Sequence, residues 1–208
     1  MHVRCLRLSV VDRYAGVRHV ARGPTVVIMA RVSYVDAQDA PPETARALQR
    51  LPTAHVFGLV AQARTAFVPW LRLGGALLND LSLPASLREL VILQVGRLAQ
   101  RYEWDQHVPI AQSAGISDEQ IAALERGDTT GPFDDVQRAV LSFVADMVRD
   151  GEVADADFRT LSGLLDEQQI VEVALVAGHY LGLARLMTAL RIDPDQPMGA
   201  GAIQASTT

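Results

Sequence analysis

Residues 87–115 read LRELVILQVGRLAQRYEWDQHVPIAQSAG, and this stretch decides the fold. Leu87, Leu90, Val91, Val95 and Leu98 recur at three- and four-residue spacing, the period of a helix packed along one side. Ser86-Leu87-Arg88-Glu89 has the S-x-x-E form of a capping box, which predicts a helix opening there and running to about Ala99. Trp104, His107, Val108 and Ala111 repeat the pattern and predict a second helix, Tyr102 to Ser113, stopping at Gly115. His107 falls on its apolar face. Pro109 removes one backbone donor, so this helix is expected to kink or to begin late.

Working outward, the helical period persists almost everywhere after Pro41. Helices are expected after Pro41-Pro42 through Leu51, over His55–Ala63 and over Thr65–Leu81. Ser117–Gln120 forms another capping box, opening a helix that ends before Gly127. Further helices are expected over Asp134–Arg149, Asp155–Leu164 and, capped by Asp166, to about Arg191. The only strand candidate is TVVIMARVSYV, residues 25–35. The expected class is all-α, a bundle of seven or eight helices with short connections.

The 208 residues suit one domain with a real core; 49% are apolar and 21% charged. Residues 1–28 differ from the rest, holding five arginines (Arg4, Arg7, Arg13, Arg18, Arg22) against one acid, Asp12. They are expected to form a poorly packed extension, either an upstream start ahead of Met29 or an ordinary flexible terminus. The folded domain is expected over 29–192, and residues 193–208 as a loose tail. The net charge of −5 argues against nucleic acid. The longest apolar run, Ile170–Leu190, carries Glu172, His179 and Arg185, charges costly in lipid, and so predicts a buried helix and no membrane partner. There is no lysine, which excludes a Schiff-base lysine and a P-loop. Cys5 is the single cysteine, which excludes a disulfide framework and a thiolate zinc site and fits a reduced, cytoplasmic setting.

Most of the versatile side chains gather at residues 101–107. His107 can move a proton near neutral pH, or it can be a core histidine bonded to a carbonyl. Glu103, four residues earlier, lies one helical turn away and can orient its ring. Trp104 and Tyr102 can supply a dry wall with a polar tip. Glu89 can point at His107 if the two helices pack, or it can serve the capping box. His179, Tyr180 and Arg185 form a third group, although Gly178 and Gly182 beside them read equally as a site of tight helix packing. Arg185, Arg97 or Arg101 can clamp a carboxylate, or pair at the surface. His107 and Glu103 supply two of the three or four ligands a zinc or iron site needs, so no metal is expected.

The motif Arg88-Glu89-Leu90, then His107, Ala111, Gly115-Ile116-Ser117, Gln120 and Ile121, closely resembles the carboxymuconolactone decarboxylase family of the alkyl hydroperoxidase D superfamily. Gly178-His179-Tyr180-Leu181-Gly182 resembles its C-terminal segment. The resemblance spans roughly residues 40–192. It implies an alkyl hydroperoxidase D-like helical fold, a trimer or hexamer, and no cofactor. The peroxidase branch carries a CxxC before the histidine; here that region reads Arg101-Tyr102-Glu103-Trp104, so thiol peroxidase chemistry is not expected. What remains implies a lyase or decarboxylase acting on a small carboxylated lactone or organic acid. His107 would carry the proton, Glu89 or Glu103 would orient it, and an arginine would hold carboxylates. Tyr102, Trp104, His179, Tyr180, Arg101 and Arg185 are the expected substrate contacts. The alternatives are an oligomeric binding protein that kept the pocket without the chemistry, and a peroxidase-type antioxidant enzyme.

Overall fold

The computed structural model describes residues 30–199. Nine α-helices follow in order: α1 (Pro42–Leu48), α2 (His55–Val60), α3 (Phe67–Asn79), α4 (Ala85–Ala99), α5 (Arg101–Ser113), α6 (Asp118–Glu125), α7 (Asp135–Arg149), α8 (Asp155–Ser162) and α9 (Glu167–Leu190). Each expected span forms a helix, so the class is all-α, and the spans number nine where seven or eight were expected. Residues 30–35 of the candidate strand form no strand; Val35 N–H donates to the Gly58 carbonyl at 3.0 Å. The rest of that candidate, and Cys5 with the N-terminal extension, lie outside the described residues.

The bundle is built around α4, which packs against α5, α7 and α9. Ten consecutive residues, Leu87 to Gly96, are buried, so this helix has no solvent face along its middle. Leu90, Val91, Ile92, Leu93 and Val95 are wholly inaccessible, each contributing roughly 1–3 kcal/mol by burial. Arg88, Glu89 and Gln94 are buried with them. Such polar groups must be paired internally, and Gln94 donates to the Leu141 carbonyl of α7 at 2.9 Å.

The start of α4 differs from expectation. The N-cap is Pro84, no side chain caps the helix, and Glu89 is the fifth residue and not the third. Ser86-x-x-Glu89 is therefore no capping box. The chain entering α4 is held instead by Glu172 of α9. Its carboxylate accepts from Ser82 N–H (3.1 Å), Ser82 Oγ (2.9 Å) and Leu83 N–H (2.7 Å). The boxes at Ser117/Gln120, Asp134/Gln137 and Asp166/Gln169 do form, opening α6, α7 and α9.

Helix α5 runs unbroken through Pro109 from its first residue, Arg101. It approaches α4 very closely at Gly96, where a Cβ would stand 2.7 Å from Trp104 N and 3.0 Å from its Cα. Only glycine permits that crossing, and the crossing lays residues 103–107 across the middle of α4.

A second, smaller apolar cluster joins α2 and α3 to the outer side of α5 and α9, through Val56, Leu59, Phe67, Tyr102, Leu183 and Met187. After α9, Arg191 adopts the left-handed conformation (φ 55°) and turns the chain back. The residues that follow are not loose. Asp195 accepts from Tyr102 O–H (2.5 Å) and His55 N–H (2.7 Å), and Gln106 bonds the Gln196 carbonyl (3.2 Å) and Met198 N–H (3.0 Å). Residues 193–198 thus form a strap over α2 and α5, correcting the expectation of a loose tail for this part; residues 200–208 lie outside the described residues.

Candidate active site

Glu89 projects from α4 at the level where α5 crosses, and His107 projects from α5 toward it. Glu89 Oε2 lies 2.9 Å from His107 Nδ1. The other oxygen, Oε1, accepts from Arg88 Nε and pairs with Arg88 Nη2, both at 3.0 Å. Arg88 Nη1 also donates to the Leu78 carbonyl at 2.5 Å, at the end of α3. Glu89 is wholly buried and His107 is 7% exposed. A buried ionic cluster of this kind contributes little net stability, because desolvation offsets much of the attraction. Its value lies in holding one ring in one orientation.

With Nδ1 committed to Glu89, Nε2 is the nitrogen turned toward the interior. Glu103 Oε2 stands 3.9 Å from it, beyond hydrogen-bond length. The edge of the ring meets Tyr180 of α9 at a centroid distance of 5.0 Å and an interplanar angle of 88°. Burial alone would push the His107 pKa down; the Glu89 carboxylate, by charge and hydrogen bond, outweighs it, and the net shift is upward. Burial raises Glu103 to about 7, with His107 pulling it partly back. Tyr180 is pushed well above its ordinary value, first by burial and then by the two carboxylates, so it stays a neutral phenol.

These groups face a cavity of about 100 Å³, the size class of a single-ring ligand, since an engineered apolar cavity of roughly 150 Å³ accepts benzene. His107, Glu103, Tyr180 and Tyr102 line it on one side, and Phe57, Trp70, Leu71 and Met198 are among the opposing residues. His179 lines it too, stacked on Trp70 at 5.9 Å; burial lowers its pKa. The cavity lies where the two apolar clusters meet. Among the described residues, Glu103 is the only acidic side chain in its lining, and no arginine lines it.

Of the expected residues, the structure thus brings together Glu89, Glu103, His107, Tyr102, His179 and Tyr180. It does not bring in three others. Trp104 is buried in the main cluster, away from the cavity. Arg101 is a surface residue, bonded to Asp105 (2.8 Å) and Glu125 (2.7 Å). It starts α5, where its guanidinium pairs with these acids and stands 5.6 Å from the Trp104 ring centroid. Arg185 is exposed on the outer face of α9. Arg97 bonds Gln94 and also lies outside the cavity. The expected carboxylate clamp is absent from the cavity wall, and the arginine that matters is Arg88, committed to Glu89. The orienting role expected of Glu89 or Glu103 falls to Glu89. Gly178 and Gly182 mark no tight packing among the described residues, since a Cβ at either would meet nothing within 4 Å. Sequence reading missed Arg88 as a site residue, Trp70, Gln106 and the strap. Among the described residues, no three His, Cys, Asp or Glu side chains converge as metal ligands do.

The arrangement is a helical fold with a buried histidine–carboxylate pair at the seam between two apolar clusters. The same fold occurs in solved structures. An uncharacterized peroxidase-related protein from Silicibacter sp. TM1040 matches with a TM-score of 0.70 at 20% identity, covering 84% of this chain and 95% of that one. The alkylhydroperoxidase AhpD core protein from Ralstonia eutropha JMP134, also an uncharacterized peroxidase-related protein, matches with a TM-score of 0.70 at 18% identity, covering 80% and 92%. A cysteine-to-alanine variant of the debrominase Bmp8, solved with 2,3,4-tribromopyrrole, matches with a TM-score of 0.68 at 17% identity, covering 84% and 94%. No curated protein matches the chain. Residues 66–146, from the start of α3 into α7, match the sequence model of the carboxymuconolactone decarboxylase family. Over residues 66–146 the chain is thus similar to the carboxymuconolactone decarboxylase family, and it shares the fold of the AhpD-like structures.

Proposed function

We propose that the protein is a cofactor-free enzyme of the lyase or decarboxylase type, with His107 as its proton-transfer residue. The observation that supports this most is the Glu89–His107 pair, held at 2.9 Å in the wall of a small cavity. A buried imidazole whose orientation is set by a carboxylate, in a dry site, is suited to delivering a proton to carbon. Loss of CO₂ leaves a carbanion that needs one. The cavity wall also narrows the substrate. Among the described residues no arginine lines the cavity, and the groups there that can carry positive charge are His107 and His179, which favours a substrate with one carboxylate. A small β-keto acid or a monocarboxylated lactone fits; dianionic 4-carboxymuconolactone fits poorly.

The test is ultraviolet-monitored consumption of these compounds by the wild type and His107→Ala. Turnover of the monoacids by the wild type, reduced at least ~100-fold in the variant, is the expected result. No turnover across the set by folded wild type would leave the binding-protein reading.

We also propose that the protein self-associates, as a trimer or hexamer. Val171, Leu175, Gly178, Gly182 and Leu186 lie on one exposed face of α9 at three- and four-residue spacing. Light scattering of the wild type and Leu175→Glu tests it: an assembly that the variant reduces to monomer is expected, and a monomeric wild type refutes it.

A further inference from the structure

The Glu89–His107 pair accounts for one proton, yet the cavity holds a second acid with no assigned task. Glu103 is 3% exposed and lines the cavity. Among the described residues its Oε1 is buried without a hydrogen-bond partner, and Oε2 stands 3.9 Å from His107 Nε2. We propose that Glu103 is the acid that protonates a carbonyl oxygen of the bound substrate, while His107 serves the neighbouring carbon. The inference rests on the reading of His107 as the proton carrier. It assigns the substrate class as small conjugated carbonyl acids, in which carbon and oxygen are protonated in turn.

The surroundings of Glu103 explain why it can hold a proton to give. On its own helix, it is faced by His107 and the Tyr102 phenol. From α4 come Glu89 and Arg88, but Arg88 is spent on Glu89. From α9 come Tyr180 and His179, the first a neutral phenol. The α2 and α3 walls and Met198 of the strap contribute no titratable group to the lining. An ionised Glu103 would be a buried anion whose Oε1 has no hydrogen bond among the described residues, favoured by the His107 charge and opposed by its own burial. Burying such an anion costs several kcal/mol, on the order of the whole gain from one ion pair. The acid form avoids that cost, and its O–H then needs an acceptor, which a carbonyl oxygen in the cavity supplies.

The step balances. The bond between the substrate carbon and its carboxylate breaks, and CO₂ leaves. The electron pair moves through the conjugated system to the carbonyl oxygen, which takes the Glu103 proton and forms an enol. Carbon then takes the proton of His107 Nε2 as the enol O–H returns its proton to Glu103. One proton from solvent reloads His107.

Two measurements test Glu103 without turnover. In protein labelled with ¹³C at glutamate carboxyls, one resonance should titrate near pH 7 and be missing in Glu103→Gln. Secondly, 3,4-dinitrophenolate, an aromatic oxyanion, serves as probe. From pH 6 to pH 9 its affinity for the wild type should fall at least ~10-fold further than for Glu103→Gln, in which His107 and His179 are the remaining lining groups that can carry positive charge. A Glu103 carboxyl already ionised at pH 5.5, or identical pH dependence in the two proteins, would overturn the proposal. Failure of the keto-acid and lactone panel would remove the His107 reaction without moving either readout, so the two failures are distinguishable.

Discussion

Glu89 and His107 are 18 residues apart in sequence, on different helices, yet their side chains meet at 2.9 Å inside the core. The contact exists because Gly96 lets α5 cross α4 at backbone distance. It makes the imidazole basicity a property of one carboxylate. Replacing Glu89 with glutamine keeps the volume and removes the charge. The His107 pKa should then fall, since burial is left opposed by the weaker pull of Glu103 alone. Histidine NMR titration of the folded variant checks this, and an unchanged pKa would mean that another group sets it.

Gly96→Ala should cost about 1–3 kcal/mol, because the obstructing atoms are the backbone of Trp104 and cannot swing aside. Urea unfolding measures it. Activity should fall more than stability, since Glu103 and His107 ride on the displaced turn.

Glu103 makes stability depend on pH in an unusual direction. Its native pKa is about 7 against an ordinary 4.5, so the native state holds a proton that the unfolded chain has released across that window. Unfolding free energy should therefore decline as pH rises from 4.5 to about 7, by about 3 kcal/mol. His107, raised by its partner, acts with the same sign: its contribution is complete below its unfolded pKa and is lost as pH rises through its folded value. Glu103→Gln should flatten the Glu103 share of the slope in urea titrations at stepped pH. An equal slope in the variant would contradict the burial argument.

Asp195 ties the strap to Tyr102 and to His55, whose Nδ1 lies 2.7 Å from it. Asp195→Ala removes these contacts and leaves a largely buried phenol unpaired, at about 1–3 kcal/mol. The loss should be local. Limited proteolysis should cut within 192–198 several-fold faster, with the far-ultraviolet melting curve little changed. Resistance equal to the wild type would show that Gln106 and the Tyr34–Asp193 hydrogen bonds suffice to hold the strap.

What could be read from the sequence follows from how local each signal is. Helix spans were legible because burial of one face writes a three- and four-residue period into each of them. The capping box at Ser117/Gln120 was legible because both partners lie within one turn. Ser86-x-x-Glu89 has the same letters but a different outcome: Glu89 finds Arg88 and His107 through tertiary packing, and that attraction leaves no mark within the four residues. The arginines show the same limit. Arg101, Arg185 and Arg88 are alike as letters, and only Arg88 points inward, because α4 is buried on every side at that level while the starts and outer faces of α5 and α9 meet water. An arginine and a glutamate side by side inside an apolar run was the available clue. Nothing periodic announces the strap, which depends on the left-handed turn at Arg191. Gly178 and Gly182 read as a close helix approach; the approach within this chain is at Gly96 instead.

The seam position of the cavity divides labour between its two sides. The proton-bearing side belongs to the dense interior, where almost any replacement is felt at once. The facing side, from α2, α3 and the strap, belongs to the smaller cluster, whose residues can be exchanged without touching Glu89 or His107. A directed-evolution library confined to Phe57, Trp70, Leu71 and Met198 should change which ring is admitted while leaving the acid–base apparatus intact. Such a molecule can acquire new substrates by substitution on one side alone.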